Sequence, residues 1–401
     1  MRFGFLPVRS ILGKVPGCRA WQILLLASIA LGGCASTDES IPDWAGVKGD
    51  TGPAPLVEFN ETSKFEVRWH ANVGNSGANP QRPALTRDAV YAVSGNGVLT
   101  RLDRATGKQV WHIETGIVAS GGGVSSGAGL VLVGGDKGDV LAYGEDGKLR
   151  WKSLMSSEVL SVSSVADGVV LVRTGDGRIA ALSATDGKSI WLYERSTPAL
   201  VVRSHAGVTI VRGVAYAGFA GGKLAAINIK DGTVLWESYV SQPSGNTELE
   251  RISDITSDPV VDDQQVCAVS FQGRVACFDI DQGGPLWNRE ISSDKGLVVQ
   301  SKYIYLTDTK GSIMSLDKTS GSTVWKNDQL LMRSVTAPYA SDKFVVVGDF
   351  EGYLHGLNRE DGSFVARTEL DGGAIKVAPL DMDDGLLVLT QGGELYSLSI
   401  K

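Results

Sequence analysis

Cys267 and Cys277 flank a turn in VCAVSFQGRVACFD, where both arms run apolar over strand length. On adjacent strands of one hairpin, in an oxidising compartment, two such thiols can lie opposite each other and form a disulfide. A register shifted by one residue turns the side chains away from each other, so the sequence leaves both outcomes open. The histidines, His70, His112, His205 and His355, fall at unrelated positions, and none has a Cys or His neighbour at metal-ligand spacing. No metal site is indicated. Walker A and H-E-x-x-H patterns do not occur, and the G-x-G pairs sit between strands with no helix after them, so no cofactor and no catalytic residue is nominated. Asp146, Asp186, Asp231 and Asp361 each precede a glycine, where an aspartate favours turn geometry, and they read as turn formers.

Cys34 is a thiol of another kind. The first 33 residues carry Arg2, Arg9, Lys14 and Arg19 and no acid, then an apolar stretch, Ile23 to Leu31, too short to span a bilayer permanently. This is a secretory signal. The LGGC that closes it, with small residues before a cysteine, resembles a bacterial lipobox, in which the thiol takes a diacylglyceryl group. Ala35 and Ser36 follow where an Asp would favour inner-membrane retention, so the resemblance implies a lipid anchor at Cys34 on the periplasmic face of an outer membrane. Removing residues 1–33 takes away four basic residues and moves the formal charge from −7 to −11, which argues against a nucleic-acid partner. Residues 34–60, with Asp, Ser, Gly and Pro, read as a tether to a folded body over 61–401.

The elements of that body follow from self-similarity. A tryptophan stands four residues after a glycine in TGKQVW, DGKLRW, DGKSIW, DGTVLW, GGPLW and GSTVW, giving Trp111, Trp151, Trp191, Trp236, Trp287 and Trp325. A seventh copy, DGSFVA, puts Ala366 in the tryptophan's place. A second glycine (Gly97, Gly138, Gly177, Gly222, Gly273, Gly311, Gly352) precedes each of these positions by 14 residues, or 13 in one copy. Segments between the two marks, such as VLTRLD, RIAALS and KLAAIN, alternate or run apolar over strand length, and the T-G or D-G pair supplies a tight turn. With 50 glycines and 43% apolar residues, the composition suits many short strands joined by tight turns.

An eighth hairpin, LLVLTQGGELYSLSIK, ends at Lys401 with no tryptophan strand after it, while KFEVRWHA near the start has Trp69 with no hairpin before it. The two ends together complete one unit. The expected fold is all-β, an eight-bladed β-propeller closed by pairing of the N- and C-terminal segments. A large ring on each outermost strand would fill the wedge that opens between radiating blades.

The glycine and tryptophan marks resemble the repeat of pyrroloquinoline-quinone enzymes, also eight-bladed, but the vicinal Cys pair those enzymes commonly carry is absent. With the lipobox, the chain length, E-x-x-R-x-S-D in GNTELERISDITSDPVV and EGYLH in VVVGDFEGYLHGLNREDG, the mature chain resembles the BamB family of lipoproteins of the outer-membrane β-barrel assembly machinery. The resemblance implies a non-enzymatic scaffold that docks on periplasmic POTRA domains of the barrel-inserting subunit and assists folding and insertion of unfolded outer-membrane protein clients. A quinone-dependent periplasmic dehydrogenase and a ligand-sensing propeller are the alternatives.

The repeat also carries two interruptions. From each tryptophan position to the next hairpin glycine the distances, starting at Trp69, are 28, 27, 26, 31, 37, 24, 27 and 27 residues. The extra residues follow Trp191, in STPALVVRSHAG, and Trp236, in SQPSGNTELERISD. Both connect an outermost strand to the next innermost strand, so they emerge as neighbours on one face. One offers Leu200, Val202 and Arg203 and the other Glu248, Arg251 and Asp254, a mixture of apolar anchors and charges suited to partner binding. Leu200 to Val202 could equally begin a longer inner strand. In the resembled family an L-x-[LV]-R loop and a nearby acidic loop form the docking surface, matching Leu200, Val202, Arg203 and Asp254, with Thr256 where a second acid often stands.

Overall fold

The structure, a computed structural model, describes residues 52–401 apart from residue 384. The signal, Cys34 and the first part of the expected tether lie outside the described residues. The described strands form eight four-stranded antiparallel sheets, and the first strands of neighbouring sheets touch around an axis. Seven sheets are built from consecutive strands: blade 1 (84–114), blade 2 (119–154), blade 3 (159–194), blade 4 (208–239), blade 5 (260–289), blade 6 (297–327) and blade 7 (339–369). The eighth sheet takes its outermost strand, Phe65–Asn72, from the start of the folded body. That strand runs antiparallel to Glu394–Ile400, from Phe65 opposite Ile400 to Asn72 opposite Glu394. The arrangement is an eight-bladed β-propeller.

The core is divided among the gaps between blades. Eight separate apolar clusters fill them, for example Val169, Leu171 and Ile179 of blade 3 against Ala215, Ala225 and Ile227 of blade 4, or Trp69 and Leu395 of blade 8 against Val90 and Leu102 of blade 1. Middle strands are buried on both faces and therefore read as continuous apolar runs, such as VVLVRT over Val169–Thr174.

Each tryptophan does more than fill a wedge. The Nε1–H of Trp69, Trp111, Trp151, Trp191, Trp236, Trp287 and Trp325 donates to a backbone carbonyl in the turn of the next blade at 2.8–3.1 Å. The indole lies on that turn's glycine, which has φ of 69° to 79°. A Cβ there would sit 2.4–2.8 Å from the ring at Gly107, Gly187, Gly232, Gly283, Gly321 and Gly362. The repeated glycine thus meets two demands, a left-handed backbone and room for an indole. The aspartates before these glycines behave as expected: Asp231 Oδ1 accepts the Thr233 N–H at 2.9 Å and Asp361 Oδ1 the Ser363 N–H at 2.9 Å.

Ala366 breaks the series for a reason specific to its place. Its next blade is the eighth, whose outer two strands come from opposite ends of the folded body, so no turn joins them and no glycine waits for a ring. Phe65 and Ile400 instead pack over Gly356, the residue paired with Ala366.

The tether expectation needs correction over its last stretch. Leu56, Val57 and Phe59 pack against the cluster between blades 6 and 7, with the Phe59 ring 5.4 Å from that of Phe364. The N–H groups of Thr62 and Ser63 both donate to the Val365 carbonyl at 3.1 Å. Residues 54–63 are therefore a strap on blade 7, held because they carry three large apolar side chains that a free linker would leave in water. The register question at the cysteines is also answered: Cys267 stands directly opposite Cys277 in blade 5, Cα to Cα 4.1 Å, and the two are joined as a disulfide in the gap toward blade 6.

Candidate docking face

The two long connections meet between blades 3, 4 and 5. The inner strand of blade 4 starts at Val208, so Leu200 to Val202 lie in a loop and do not extend that strand. Two aspartates four positions apart fasten this loop to the other. Asp254 Oδ2 accepts the Val202 N–H at 2.6 Å and its Oδ1 the Gly221 N–H at 2.9 Å. Asp258 Oδ1 accepts the Gly207 N–H, and its Oδ2 pairs with Arg82 at 2.6 Å. Burial pushes the Asp258 carboxyl up, but the Arg82 charge and the Gly207 N–H outweigh it and hold the acid below its ordinary range.

Asp254 departs from the expectation of an exposed docking charge. It is 3% exposed and both carboxylate oxygens are engaged by backbone, so it sets the shape of the face. Glu248 and Arg251 are exposed and pair with each other at 4.0 Å within their own loop, which makes them a solvated pair. Thr256 is buried, and its hydroxyl has no hydrogen-bond partner among the described residues. In the first connection Leu200, Val201 and Arg203 reach solvent, at 47%, 45% and 61% exposure, and in the second Leu249 does so at 65%. Arg203 is held by Glu158 at 2.5 Å.

Beneath Val202 and Arg203 the gap between blades 3 and 4 widens into a pocket of about 300 Å³. Its lining residues include Arg173, Arg195, Arg203 and Phe219, with the acids Glu158 and Asp254. The Phe219 ring lies against two of these cations, Arg173 at 5.5 Å and Arg195 at 5.7 Å. Arg195 pairs with Glu237 at 2.9 Å. Arg173 is 8% exposed and pairs with no carboxylate among the described residues; one of its N–H groups donates to the Ala206 carbonyl at 3.2 Å. Burial pulls its pKa down to about 10, partly offset by the more distant charges of Asp258 and Asp254. A second cavity, of about 340 Å³, also borders residues 202–204 and is lined by Arg82, His205, Lys295, Lys376 and Asp294, with Arg82 paired to Asp258 and Lys295 to Asp294.

A family model described as outer membrane protein assembly factor BamB matches residues 51–120 and 95–327. The protein of that name from Burkholderia pseudomallei is 40% identical over 345 residues, covering 86% of this chain and 90% of its own length. This chain belongs to the BamB family. The crystal structure of BamB from Moraxella catarrhalis superimposes with a TM-score of 0.77 at 23% identity, over 84% of this chain and 99% of that one. A europium-containing methanol dehydrogenase does so with a TM-score of 0.70 at 12% identity, over 84% of this chain and 93% of that one. Both structural likenesses carry the fold alone. By sequence the chain falls with the assembly factors and not with the dehydrogenases.

Among the described residues no group of three or more His, Cys, Asp or Glu side chains could hold a metal ion. One G-x-S-x-G pentad does occur, GVSSG at 123–127, the arrangement that in hydrolases sits on a strand-to-helix turn. Here it lies inside the strand Ala119–Gly127, and the Ser125 hydroxyl donates to the Ser163 carbonyl at 2.8 Å, so it is part of a blade. The pocket residues Arg173, Arg195 and Phe219 belong to the repeat and were not singled out in the sequence. Arg173 did leave a signal, a lone cation in the apolar run VVLVRT.

Proposed function

We propose that the protein is a lipid-anchored, non-enzymatic scaffold of the outer-membrane protein assembly complex, held at Cys34 on the periplasmic face of the outer membrane. In this reading it docks on POTRA domains of the barrel-inserting subunit and assists folding and insertion of β-barrel clients. The supporting observation is the pair of neighbouring insertions, fastened by Asp254 and Asp258 and presenting Leu200, Val201 and Arg203 to solvent. An apolar anchor beside a charge at the centre of a shaped surface is what partner docking requires.

The test is copurification of the barrel-inserting subunit from detergent-solubilised membranes. Arg203→Glu is expected to abolish it with circular dichroism unchanged, because a desolvated charge facing the wrong sign costs about 2–5 kcal/mol at an interface. Leu200→Ala weakens it. Lys188→Glu, in a turn where the lysine pairs with Asp186 at 2.7 Å, leaves it unaltered. Full recovery with Arg203→Glu would remove this face from the reading, and mass spectrometry of a mature chain unmodified at Cys34 would remove the anchor.

A further inference from the structure

The pocket under Val202 is short of one anion. Three arginines line it, and two of them have a carboxylate within ion-pair distance: Arg203 has Glu158 and Arg195 has Glu237. The third, Arg173, is the most deeply buried of the three and has none among the described residues. Asp254 also lines the pocket, but its two oxygens are taken by the Val202 and Gly221 backbone. An arginine carries five N–H donors in a planar fork, and the Ala206 carbonyl occupies one side of it. Buried cations in folded proteins are ordinarily paired, because removing a charge from water without a partner is costly. Arg173 therefore lacks a counter-charge at ion-pair distance among the described residues, and the pocket adjoins it.

We infer that this pocket receives an acidic side chain of the docking partner, whose carboxylate pairs with the guanidinium of Arg173 while its methylene stem lies against Phe219. The inference rests on the docking reading above. The occupant follows from charge and place: Arg173 has no carboxylate at ion-pair distance among the described residues, and the pocket is also lined by Val201, Val202 and Arg203, the segment on which the partner is proposed to sit. The Phe219 ring, already flanked by Arg173 and Arg195, provides a flat apolar wall for the stem. Paired-fork geometry would let Arg173 hold both carboxylate oxygens at once, which a lysine cannot do.

The experiment uses the purified mature protein and the purified barrel-inserting subunit, titrated by surface binding, with the melting temperature of each variant measured alongside. Arg173→Met is expected to bind at least about 10-fold more weakly and to melt at or above the wild-type temperature, since it removes an unpaired buried charge. Arg173→Lys is expected to fall between the two, keeping the charge without the fork. In competition at equal ionic strength, sodium acetate is expected to weaken the wild-type complex more than sodium chloride does, with no such difference for Arg173→Met. Wild-type affinity in Arg173→Met together with lost binding in Arg203→Glu would overturn the inference and leave the docking reading standing. Wild-type affinity in both variants would overturn both. A fall of several degrees in the melting temperature of both Arg173→Met and Arg173→Lys would show a structural role for the arginine and overturn the inference. So would acetate competing equally in the absence of Arg173. Acetate raising the melting temperature of the wild type, with partner binding independent of Arg173, would assign the pocket to a free acid and likewise overturn it.

Discussion

Arg367 on blade 7 and Arg173 on blade 3 each lie against a phenylalanine ring, and residues 54–63 cover the first while a pocket adjoins the second. The Arg367 guanidinium lies 5.0 and 5.2 Å from the ring centres of Phe59 and Phe364 and donates through Nη1 to the Val57 carbonyl at 2.8 Å, while its Nη2 is buried without a hydrogen-bond partner among the described residues. Its neighbour Arg333 donates to the Ala54 carbonyl at 3.1 Å and is paired with Asp349 and Glu351. Between them, His355 Nε2 meets Asp349 Oδ2 at 3.0 Å, and its Nδ1 accepts from Arg367 Nε at 3.1 Å. Here the strap supplies a second ring and two carbonyls that cover the cations. Around Arg173 there is one ring, one carbonyl and a pocket. The same chemistry is structural where the chain covers it and receptive where it does not.

The largest expected effect lies at the seam. Deleting residues 61–73 removes the outermost strand of blade 8, uncovers the edge of Glu394–Ile400 and opens the gap filled by Trp69. The truncated protein is expected to aggregate, read by light scattering and by loss of a monomer peak in size-exclusion chromatography. A monomer with unchanged melting temperature would show that the pairing of the two ends contributes nothing to the ring.

The comparison between arginines is sharpened by making the same substitution at both. Arg367→Met removes bonds to His355 and Val57 and is expected to cost about 2 kcal/mol, lowering the melting temperature and exposing residues 52–63 to limited proteolysis. Arg173→Met is expected to cost nothing. Equal losses at the two sites would erase the distinction between a closed and an open arrangement. Asp254→Ala belongs with the first kind: it frees the Val202 and Gly221 N–H groups and is expected to cost about 1–3 kcal/mol, weakening partner binding by reshaping the loop.

A smaller effect separates the regions by pH. Burial holds His355 below the ordinary histidine range even though Asp349 favours its charged form; Arg367 and Arg333 oppose that form. Because Arg367 can only donate, the Nδ1 of His355 is an acceptor and its proton sits on Nε2, so the folded ring is neutral. Its contribution is complete above the unfolded histidine pKa of about 6.5 and is lost as pH falls through the lower folded value. His205 is also held low by burial and contributes with the same sign. The melting temperature is therefore expected to fall on going from pH 7 toward pH 5, and His355→Gln is expected to flatten that slope. An unchanged slope would place the acid sensitivity elsewhere.

The propeller was legible because its marks are local. A glycine in the turn and a tryptophan four residues on recur at a spacing that any eight-fold ring of hairpins must keep. The two long connections were equally visible as departures from that spacing. Their neighbourhood on one face followed from strand alternation alone. The burial of Asp254 is not legible in sequence, because an acid in a polar loop looks the same whether it faces water or accepts two backbone N–H groups. The strap was misjudged because three apolar side chains among glycines and prolines have no periodicity to announce a surface that they cover.

By itself the sequence determined the number of blades, their boundaries, the joining of the two ends in one sheet and the place of the insertions, since each depends on periods along the chain. Tertiary structure alone decided the rest. Whether Cys267 faces Cys277 turned on a one-residue register, which only the completed sheet fixes. Why Ala366 replaces a tryptophan depended on the lack of a turn in the neighbouring blade, a feature of residues far away in the chain. And Arg173 differs from Arg195 and Arg203 in having no acid at ion-pair distance among the described residues, a matter of distances across the gap between two blades, to which no spacing in the sequence corresponds.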